Sequence, residues 1–215
     1  YTLSDTLSLH DALPILVIYP GENKIQVHAD LKNPRLWWTW DFGKPDMYEF
    51  SYSVTAENGL KDTYSDISGI KELKKAADNC WYLNGRRIFL RGSNIIPTQW
   101  LSEYTKDKIE KDVRLMKEAN FNTIRVHAHV NREEFYRELD RQGIMVWQDF
   151  ALQWSYETTP EFMENASSQI KDMINLHYNR PCIAVWCCHN EPSVNAKQLD
   201  PVLYKSARRR RCQVY

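Results

Sequence analysis

The sequence lacks an excess of charge of either sign. Lysine and arginine together number 28, and aspartate and glutamate together also number 28, in a chain of 215 residues. Proteins that attract nucleic acid or anionic membranes through their overall field carry a net positive charge. The balance excludes this mode of binding, and we predict neither nucleic acid nor a membrane as a partner.

Long apolar runs and a cysteine framework are also missing. No apolar run approaches the roughly 18 to 20 residues that a membrane-spanning helix requires. The five cysteines, at positions 80, 182, 187, 188 and 212, follow no regular spacing, and their odd number leaves at least one thiol unpaired. We predict no disulfide bonds. With 43% hydrophobic residues, the chain can bury the core of one large domain or two small ones.

The two ends of the chain differ in character from the rest. Residues 1–15 lack the charged start of a signal peptide and resemble translated sequencing-adapter DNA. Residues 206–215 contain four consecutive arginines at 208–211, without a second basic cluster nearby. We interpret both segments as foreign to the fold, and the second as a truncated or frame-shifted end rather than a nucleic-acid patch.

Residues 16–79 carry short, β-like signals. The segments 25–31 and 48–54 mix apolar and polar residues at strand length, and Pro-Gly, Asn-Pro and Asn-Gly pairs separate such segments. The only helical period is a weak one at 70–77. This pattern predicts part of an antiparallel β-sandwich.

Residues 80–205 begin with a hairpin and then alternate between helix and strand. Asn84 and Gly85 supply the two positive φ angles of a type I′ turn. Strands are predicted at 121–127, 144–150 and 182–191, and they are apolar on both faces, as in a parallel sheet that is buried on both sides. A (β/α) barrel and a doubly wound sheet both fit this order.

The helices between these strands have recognisable ends. Thr105 precedes a helix whose apolar positions recur at helical spacing, and Thr159 followed by Pro160 starts a later one. Asn131, with a glutamate three residues later, has the signature of a capping box, and Gly143 is predicted to end that helix.

Polar residues follow the apolar part of each predicted strand. They are Arg125 and His127 on the first, Gln148 and Asp149 on the second, and His189, Asn190 and Glu191 on the third. Because active sites of parallel α/β folds lie at the carboxyl ends of the strands, we expect a site at this edge.

Five segments follow one another along the chain: NPRLWW (33–38), YLNGRRIFLRGSNIIP (82–97), IRVH (124–127), VWQDF (146–150) and AVWCCHNEP (184–192). In this order they resemble glycoside hydrolase family 2, the retaining β-glycosidases that include β-mannosidases, β-galactosidases and β-glucuronidases. The resemblance covers residues from about 33 to 195 and implies a multidomain protein. A partial immunoglobulin-like β-sandwich at 16–79 would precede the first half, about four β/α units, of a (β/α)8 TIM barrel at 80–205. VWQDF and AVWCCHNEP are most similar to the β-mannosidase branch, with β-galactosidase and β-glucuronidase as alternatives.

The resemblance assigns roles to three residues at this edge. Hydrolysis with retention uses two carboxyl groups about 5 to 5.5 Å apart, one as proton donor and one as nucleophile. Glu191 is the expected general acid/base, and at the end of an apolar strand we expect it to be partly desolvated. Asn190 would bind the sugar 2-hydroxyl, and Arg125 would hold the nucleophile's charge unless it forms a structural ion pair.

Three further residues are expected to contact the carbohydrate substrate. His127 and Asp149 lie at strand ends, and Trp154 follows a strand end where its ring could stack on a sugar. Asp149 could also act as nucleophile or anchor a loop. The family's nucleophile is a glutamate after the seventh barrel strand, so we assign none here and expect this chain to be an inactive piece of a longer product. The resemblance implies no cofactor and no metal.

Two other functions compete with this hypothesis. The pair His127 and His129, with Cys188 and His189 on a later strand end, could bind the metal of a zinc-dependent hydrolase. Alternatively, the chain could be a carbohydrate-binding fragment without catalytic activity.

Overall fold

The computed structural model describes residues 6–8, 17–25, 31–96, 98, 100–194 and 196–208. Residues 26–30 of the predicted strand at 25–31 lie outside this part, as do most of the two terminal segments. Four described cysteines, Cys80, Cys182, Cys187 and Cys188, are free. Within these ranges no helix has the length and apolarity needed to cross a membrane.

The first sheet has three strands. Strand β1 (Thr6–Ser8) is parallel to β2 (Tyr48–Thr55), which pairs in antiparallel fashion with β3 (Lys61–Ser68). The strand predicted at 48–54 is therefore confirmed. The segment 1–15, which we expected to be foreign to the fold, contributes β1.

A second three-stranded sheet leads into the rest of the chain. It contains β4 (Leu73–Lys75), β5 (Trp81–Leu83) and β6 (Arg86–Ile88), all antiparallel. Asn84 and Gly85 have φ angles of 49° and 80°, which confirms the predicted hairpin turn. The weak helical period at 70–77 does not produce a helix. Residues 73–75 instead form β4, because their hydrogen bonds to β5 override the local pattern.

The remaining strands form a four-stranded parallel sheet in the order of the chain. They are β7 (Gly92–Ile95), β8 (Thr123–Val126), β9 (Met145–Asp149) and β10 (Ile183–Cys187). Helices α1 (Lys106–Glu118), α2 (Glu133–Gln142) and α3 (Pro160–His177) connect them, and α4 (Asp200–Arg208) follows β10. Strand order in a doubly wound sheet reverses at a switch point, whereas here each strand lies beside the next, as in a (β/α)8 barrel.

The helix ends agree with the sequence at three of the four predicted signals, and Thr105 is the N-cap of α1, although its side chain makes no capping hydrogen bond. The Thr159 side chain accepts a hydrogen bond from the Phe162 amide at 3.2 Å, and Gly143 ends α2 with a φ of 70°. The capping box at Asn131 is wrong, since α2 begins at Glu133 with Arg132 as its N-cap. Asn131 instead donates its amide N–H to the hydroxyl of Tyr136, at 3.0 Å.

The two faces of the parallel sheet have different environments. One face is buried in the main core, with Val126, Val146 and Trp186 among its side chains. The opposite face carries Arg125 and Trp147 and borders a cavity of about 360 Å³. The other residues lining this cavity are Leu90, Gly92, Ser93, Asn94 and Thr123. This face corresponds to the interior of a barrel.

A buried arginine joins the first sheet to the parallel sheet. The guanidinium of Arg180, only 5% exposed, lies 2.6 Å from Asp66 on β3, 3.3 Å from Asp140 on α2 and 3.6 Å from Glu133. Burial raises the pKa of Asp140 to about 6, while hydrogen bonds to Cys182 and Arg180 oppose this shift. These ion pairs fix the position of the sandwich segment against the outside of the sheet.

Candidate active site

Arg125, Asp149 and Asn190 meet at the carboxyl ends of β8, β9 and β10. Nε of Arg125 lies 3.0 Å from both carboxylate oxygens of Asp149, and Nη2 lies 2.6 Å from Oδ2. The same Nη2 donates to Oδ1 of Asn190 at 2.8 Å. Bonds to the Asp149 carboxylate raise the pKa of Arg125. One guanidinium therefore fixes side chains that follow the next two strands of the sheet, β9 and β10.

Both carboxylate oxygens of Asp149 form hydrogen bonds with protein groups. Its side chain is 0% exposed, and Oδ2 also accepts the amide N–H of Ala128 at 3.2 Å. We expected Asp149 to contact substrate, but in this arrangement it orients Arg125 and anchors the loop after β8. The structure thus contains the ion pair that was the alternative role for Arg125 and the loop anchor that was an alternative role for Asp149.

The loop after β9 continues alongside the segment after β10. The Asn190 amide donates to the Leu152 carbonyl at 2.8 Å, the Trp154 amide donates to the Asn190 carbonyl at 3.1 Å, and the Ser193 amide donates to the Trp154 carbonyl at 2.7 Å. These bonds extend the parallel pairing beyond the ends of the strands. They place Trp154 beside the Asn190–Glu191 pair, although 36 residues or more separate them in sequence.

Glu191 is exposed on this edge. Its Oε2 accepts a hydrogen bond from the indole Nε1 of Trp154 at 3.2 Å, and Trp154 is itself 61% exposed. The expectation that Glu191 is partly desolvated by the strand is wrong, because the chain turns outward after Asn190. A carboxyl group and a large aromatic face are therefore both accessible at the same point.

Backbone strain is concentrated at this site. Seven described residues other than glycine have positive φ angles, and four of them are asparagines, which tolerate this conformation. The other three are Ala128 at 51°, Trp154 at 56° and Glu191 at 43°. Each such residue costs on the order of 1–3 kcal/mol, a cost that proteins retain mainly where function requires the geometry.

The histidines after β8 form a rigid corner rather than a metal site. Nδ1 of His129 donates to the His127 carbonyl at 2.9 Å, and the Gln148 amide donates to the His129 carbonyl at 2.7 Å. Burial lowers the pKa of His129. Across the described residues, no group of three histidine, cysteine, aspartate or glutamate side chains could hold a metal ion. The described residues therefore do not form the ligand set that the zinc-dependent alternative requires.

His189 is engaged elsewhere, in contacts that the sequence did not reveal. Its Nδ1 is hydrogen-bonded to the hydroxyl of Tyr156, and its Nε2 lies 2.7 Å from Oδ1 of Asp200. Tyr156 lies in the loop after β9 and Asp200 begins α4. Neither residue carries a local signal of such a role, because the contact exists only after both loops have folded over the strand ends.

Comparison with known proteins identifies the family. Residues 74–210 match "Glycosyl hydrolases family 2, TIM barrel domain", and residues 6–71 match "Glycosyl hydrolases family 2". The chain belongs to glycosyl hydrolase family 2. The expected architecture is confirmed: an N-terminal family 2 domain precedes part of a TIM barrel. The match at 6–71 also includes most of the segment that we set aside as foreign.

Individual family 2 proteins are similar to most of this chain. A β-mannosidase B from Aspergillus clavatus is 30% identical over 181 residues, covering 79% of this chain and 21% of that protein. A β-D-mannosidase structure from Dictyoglomus thermophilum has a TM-score of 0.65 at 26% identity, covering 74% of this chain and 21% of the other. A β-glucuronidase structure from Parabacteroides merdae, at 22% identity and a TM-score of 0.72, covers 84% and 24% and supports the fold alone. The chain spans about a fifth of the length of the curated relatives it matches.

Proposed function

We propose that this chain carries the acid/base half of the active site of a glycoside hydrolase that cleaves β-linked sugars, with β-mannosides as the preferred substrates. The observation that supports this most directly is the exposed Glu191 carboxyl group, on a strained turn beside the exposed ring of Trp154. Membership of family 2 supports the reaction class.

Glu191 is the proposed proton donor to the leaving glycosidic oxygen. A general acid must reach the oxygen that it protonates, and the outward turn after Asn190 leaves this carboxyl group accessible to a bound substrate. The Trp154 indole N–H, 3.2 Å from Oε2, restricts the orientation of the carboxyl group. The same indole ring offers an apolar face to a sugar.

Asn190 is the proposed ligand of the sugar 2-hydroxyl. Arginine can only donate hydrogen bonds, so the Asn190 atom that Arg125 contacts is the side-chain amide oxygen. This bond fixes the amide oxygen on the side of Arg125. Nδ2 of Asn190 has no protein acceptor among the described hydrogen bonds and is left to donate to a sugar hydroxyl. Such a bond strengthens as the transition state forms. Arg125 acts through this contact, and His127 borders the same edge.

The second carboxyl group of a retaining mechanism is not assigned to any residue of this chain. Asp149 does not fit the role, because Arg125 and the Ala128 amide engage both of its oxygens and it is 0% exposed. We propose that a residue outside those described here supplies the nucleophile. The preference for mannosides rests on the β-mannosidase relatives, with β-galactosides and β-glucuronides as the alternative substrates.

The test is hydrolysis of 4-nitrophenyl β-mannoside, β-galactoside and β-glucuronide by the full-length protein. We expect mannoside turnover to exceed the other two and to fall about 10²- to 10⁴-fold in the variant Glu191→Gln. Glu164→Gln, an exposed change on α3, is the matched control and should keep full activity. NMR of the first-formed sugar anomer reports retention.

Two outcomes would overturn this assignment. Full activity of Glu191→Gln would remove Glu191 as the acid/base. Binding of the glycosides without any turnover by the full-length protein would instead favour the carbohydrate-binding alternative.

A further inference from the structure

The imidazole of His189 connects three segments that converge on Glu191. His189 follows strand β10, two residues before Glu191. Its Nδ1 lies 2.5 Å from the hydroxyl of Tyr156, in the same loop as Trp154, and its Nε2 lies 2.7 Å from the carboxylate of Asp200, at the start of α4. The side chain is only 11% exposed. The imidazole is therefore largely shielded from water, whereas the Asp200 side chain is 50% exposed.

The partners of His189 select one arrangement of protons. The Asp200 carboxylate can only accept, so Nε2 carries a proton and donates it to Asp200. In the neutral ring Nδ1 is then an acceptor, and it receives the hydroxyl proton of Tyr156. Burial lowers the pKa of His189, in opposition to the nearby Asp200 charge, and it raises the pKa of Tyr156 to about 12. Both ring nitrogens of His189 therefore have a partner.

Tyr156 is itself fixed by packing. Its ring stacks on Phe162 in the first turn of α3, with centroids 5.6 Å apart and an interplanar angle of 14°. The loop after β9 is therefore attached to α3 through Phe162 and to the end of β10 through His189. Trp154 lies two residues before Tyr156 in the same loop and donates its indole N–H to the Glu191 carboxyl group.

A strained turn requires such attachments. Glu191 has a φ of 43°, an unfavourable conformation for a side chain of its size, and an isolated peptide would leave it. Main-chain bonds from Asn190 to Leu152 and Trp154 hold one side of the turn. The His189 side chain, two residues before Glu191, adds a bond to Tyr156 in the same loop and a bond to Asp200 on α4, which those main-chain bonds do not contact.

We propose that His189, Tyr156 and Asp200 form a positioning cluster that holds the Glu191 turn in the geometry needed for proton donation. The inference rests on the proposed function, since it assigns Glu191 the role of general acid. None of the three residues touches the reacting atoms. Their effect is on where the Glu191 carboxyl group lies.

Leaving-group dependence separates this role from a general loss of stability. Departure of 2,4-dinitrophenolate needs little protonation, whereas departure of unsubstituted phenolate depends on the general acid. In the full-length protein we expect His189→Leu, Tyr156→Phe and Asp200→Ala to lower kcat/KM, which reports the step in which the leaving group departs, about tenfold on the phenyl glycoside. On the 2,4-dinitrophenyl glycoside the same variants should stay within about twofold of the parent. His189→Gln, which keeps a donor towards Asp200, should recover part of the loss.

Two controls define the outcomes. Tyr52→Phe removes a hydroxyl from an exposed tyrosine on β2 and should change neither substrate. Equal losses on both glycosides, or no loss on either, would overturn the positioning cluster. If Glu191→Gln itself fails to discriminate between the two glycosides, the proposed function fails instead. If Glu191→Gln discriminates and the His189, Tyr156 and Asp200 variants do not, only the present inference fails.

A spectroscopic measurement tests the cluster independently of turnover. Long-range ¹H–¹⁵N spectra of the 215-residue chain labelled with ¹⁵N-histidine should show His189 as a fixed Nε2–H tautomer, and Asp200→Ala should abolish that preference. Averaged ring-nitrogen shifts for His189 in the parent chain would contradict the hydrogen-bond arrangement. Tyr156→Phe removes a single oxygen atom, so it keeps the test available if a larger substitution prevents folding.

Discussion

The indole Nε1 of Trp154 lies 3.2 Å from Oε2 of Glu191, and the two residues have positive φ angles of 56° and 43°. Each therefore lies in a conformation that its own side chain disfavours, and each contributes to holding the other. Because Trp154 follows β9 and Glu191 follows β10, the contact couples two loops at the edge of the parallel sheet. A substrate that reaches Glu191 also meets the indole ring.

We predict that Trp154→Phe lowers kcat/KM for aryl β-glycosides between about twofold and tenfold. This range corresponds to losing one hydrogen bond of about 0.5–1.5 kcal/mol while an aromatic face is kept. Trp100→Phe is the matched control, since Trp100 is 62% exposed and Trp154 is 61% exposed. Steady-state kinetics of the two variants provides the measurement. Equal effects at both positions would argue against a specific role for the Trp154 contact.

Removal of Arg125 should destabilise the fold as well as disturb the site. Arg125→Met leaves the buried Asp149 carboxylate without its charged partner, and we expect the free energy of unfolding to fall by about 3 kcal/mol. The double variant Arg125→Met/Asp149→Leu removes both charges and should recover part of that loss. Urea unfolding of the parent, the two single variants and the double variant gives the coupling energy. Additive effects of the two changes would contradict the pairing.

Buried His177 should make stability fall in acid. Burial lowers its pKa from 6.5 to about 4, and both ring nitrogens lack a hydrogen-bond partner among the described residues. Because the folded pKa is depressed, the unfolded chain binds the proton more tightly, and stability falls as the pH drops from 6.5 towards 4. The full contribution is about 3 kcal/mol.

The variant His177→Phe isolates this contribution from those of other groups. Asp140 acts in the opposite direction, since its pKa is raised to about 6, and it is present in both proteins. We expect the difference in unfolding free energy between parent and variant to change between pH 7 and pH 4.5, with the parent losing more. Parallel curves for the two proteins across that range would refute the assignment to His177.

Gly143→Ala should destabilise the chain more than Gly59→Ala. Both glycines have positive φ angles, 70° and 84°, so both substitutions impose a backbone cost of about 1 kcal/mol. At Gly143 a new Cβ would also lie 2.7 Å from the Trp40 amide nitrogen, whereas at Gly59 it would meet nothing within 4 Å. Thermal unfolding of the two variants measures the difference. A smaller or equal loss at Gly143 would show that the Trp40 segment can move away.

The sequence was informative where a signal is local. The hairpin at Asn84-Gly85, the cap at Thr159 and the end of α2 at Gly143 each depend on a few neighbouring residues, and the structure has all three. The capping box at Asn131 failed because the hydroxyl of Tyr136 takes its amide N–H and the helix starts later. Such competition between a local motif and a nearby side chain is invisible in a pattern of residue types.

Sequence alone determined that three apolar strands end in polar residues, and therefore that Arg125, Asp149, Asn190 and Glu191 share one edge of a parallel sheet. The reason is physical: buried strands must be apolar, so polar residues at their ends are conspicuous. Only the tertiary structure decided which of these groups remains accessible. It buries Asp149 beneath Arg125 and turns Glu191 outward next to Trp154. It also joins His189 to Tyr156 and Asp200, because hydrogen bonds between separate loops depend on how the strands stack and not on any local propensity.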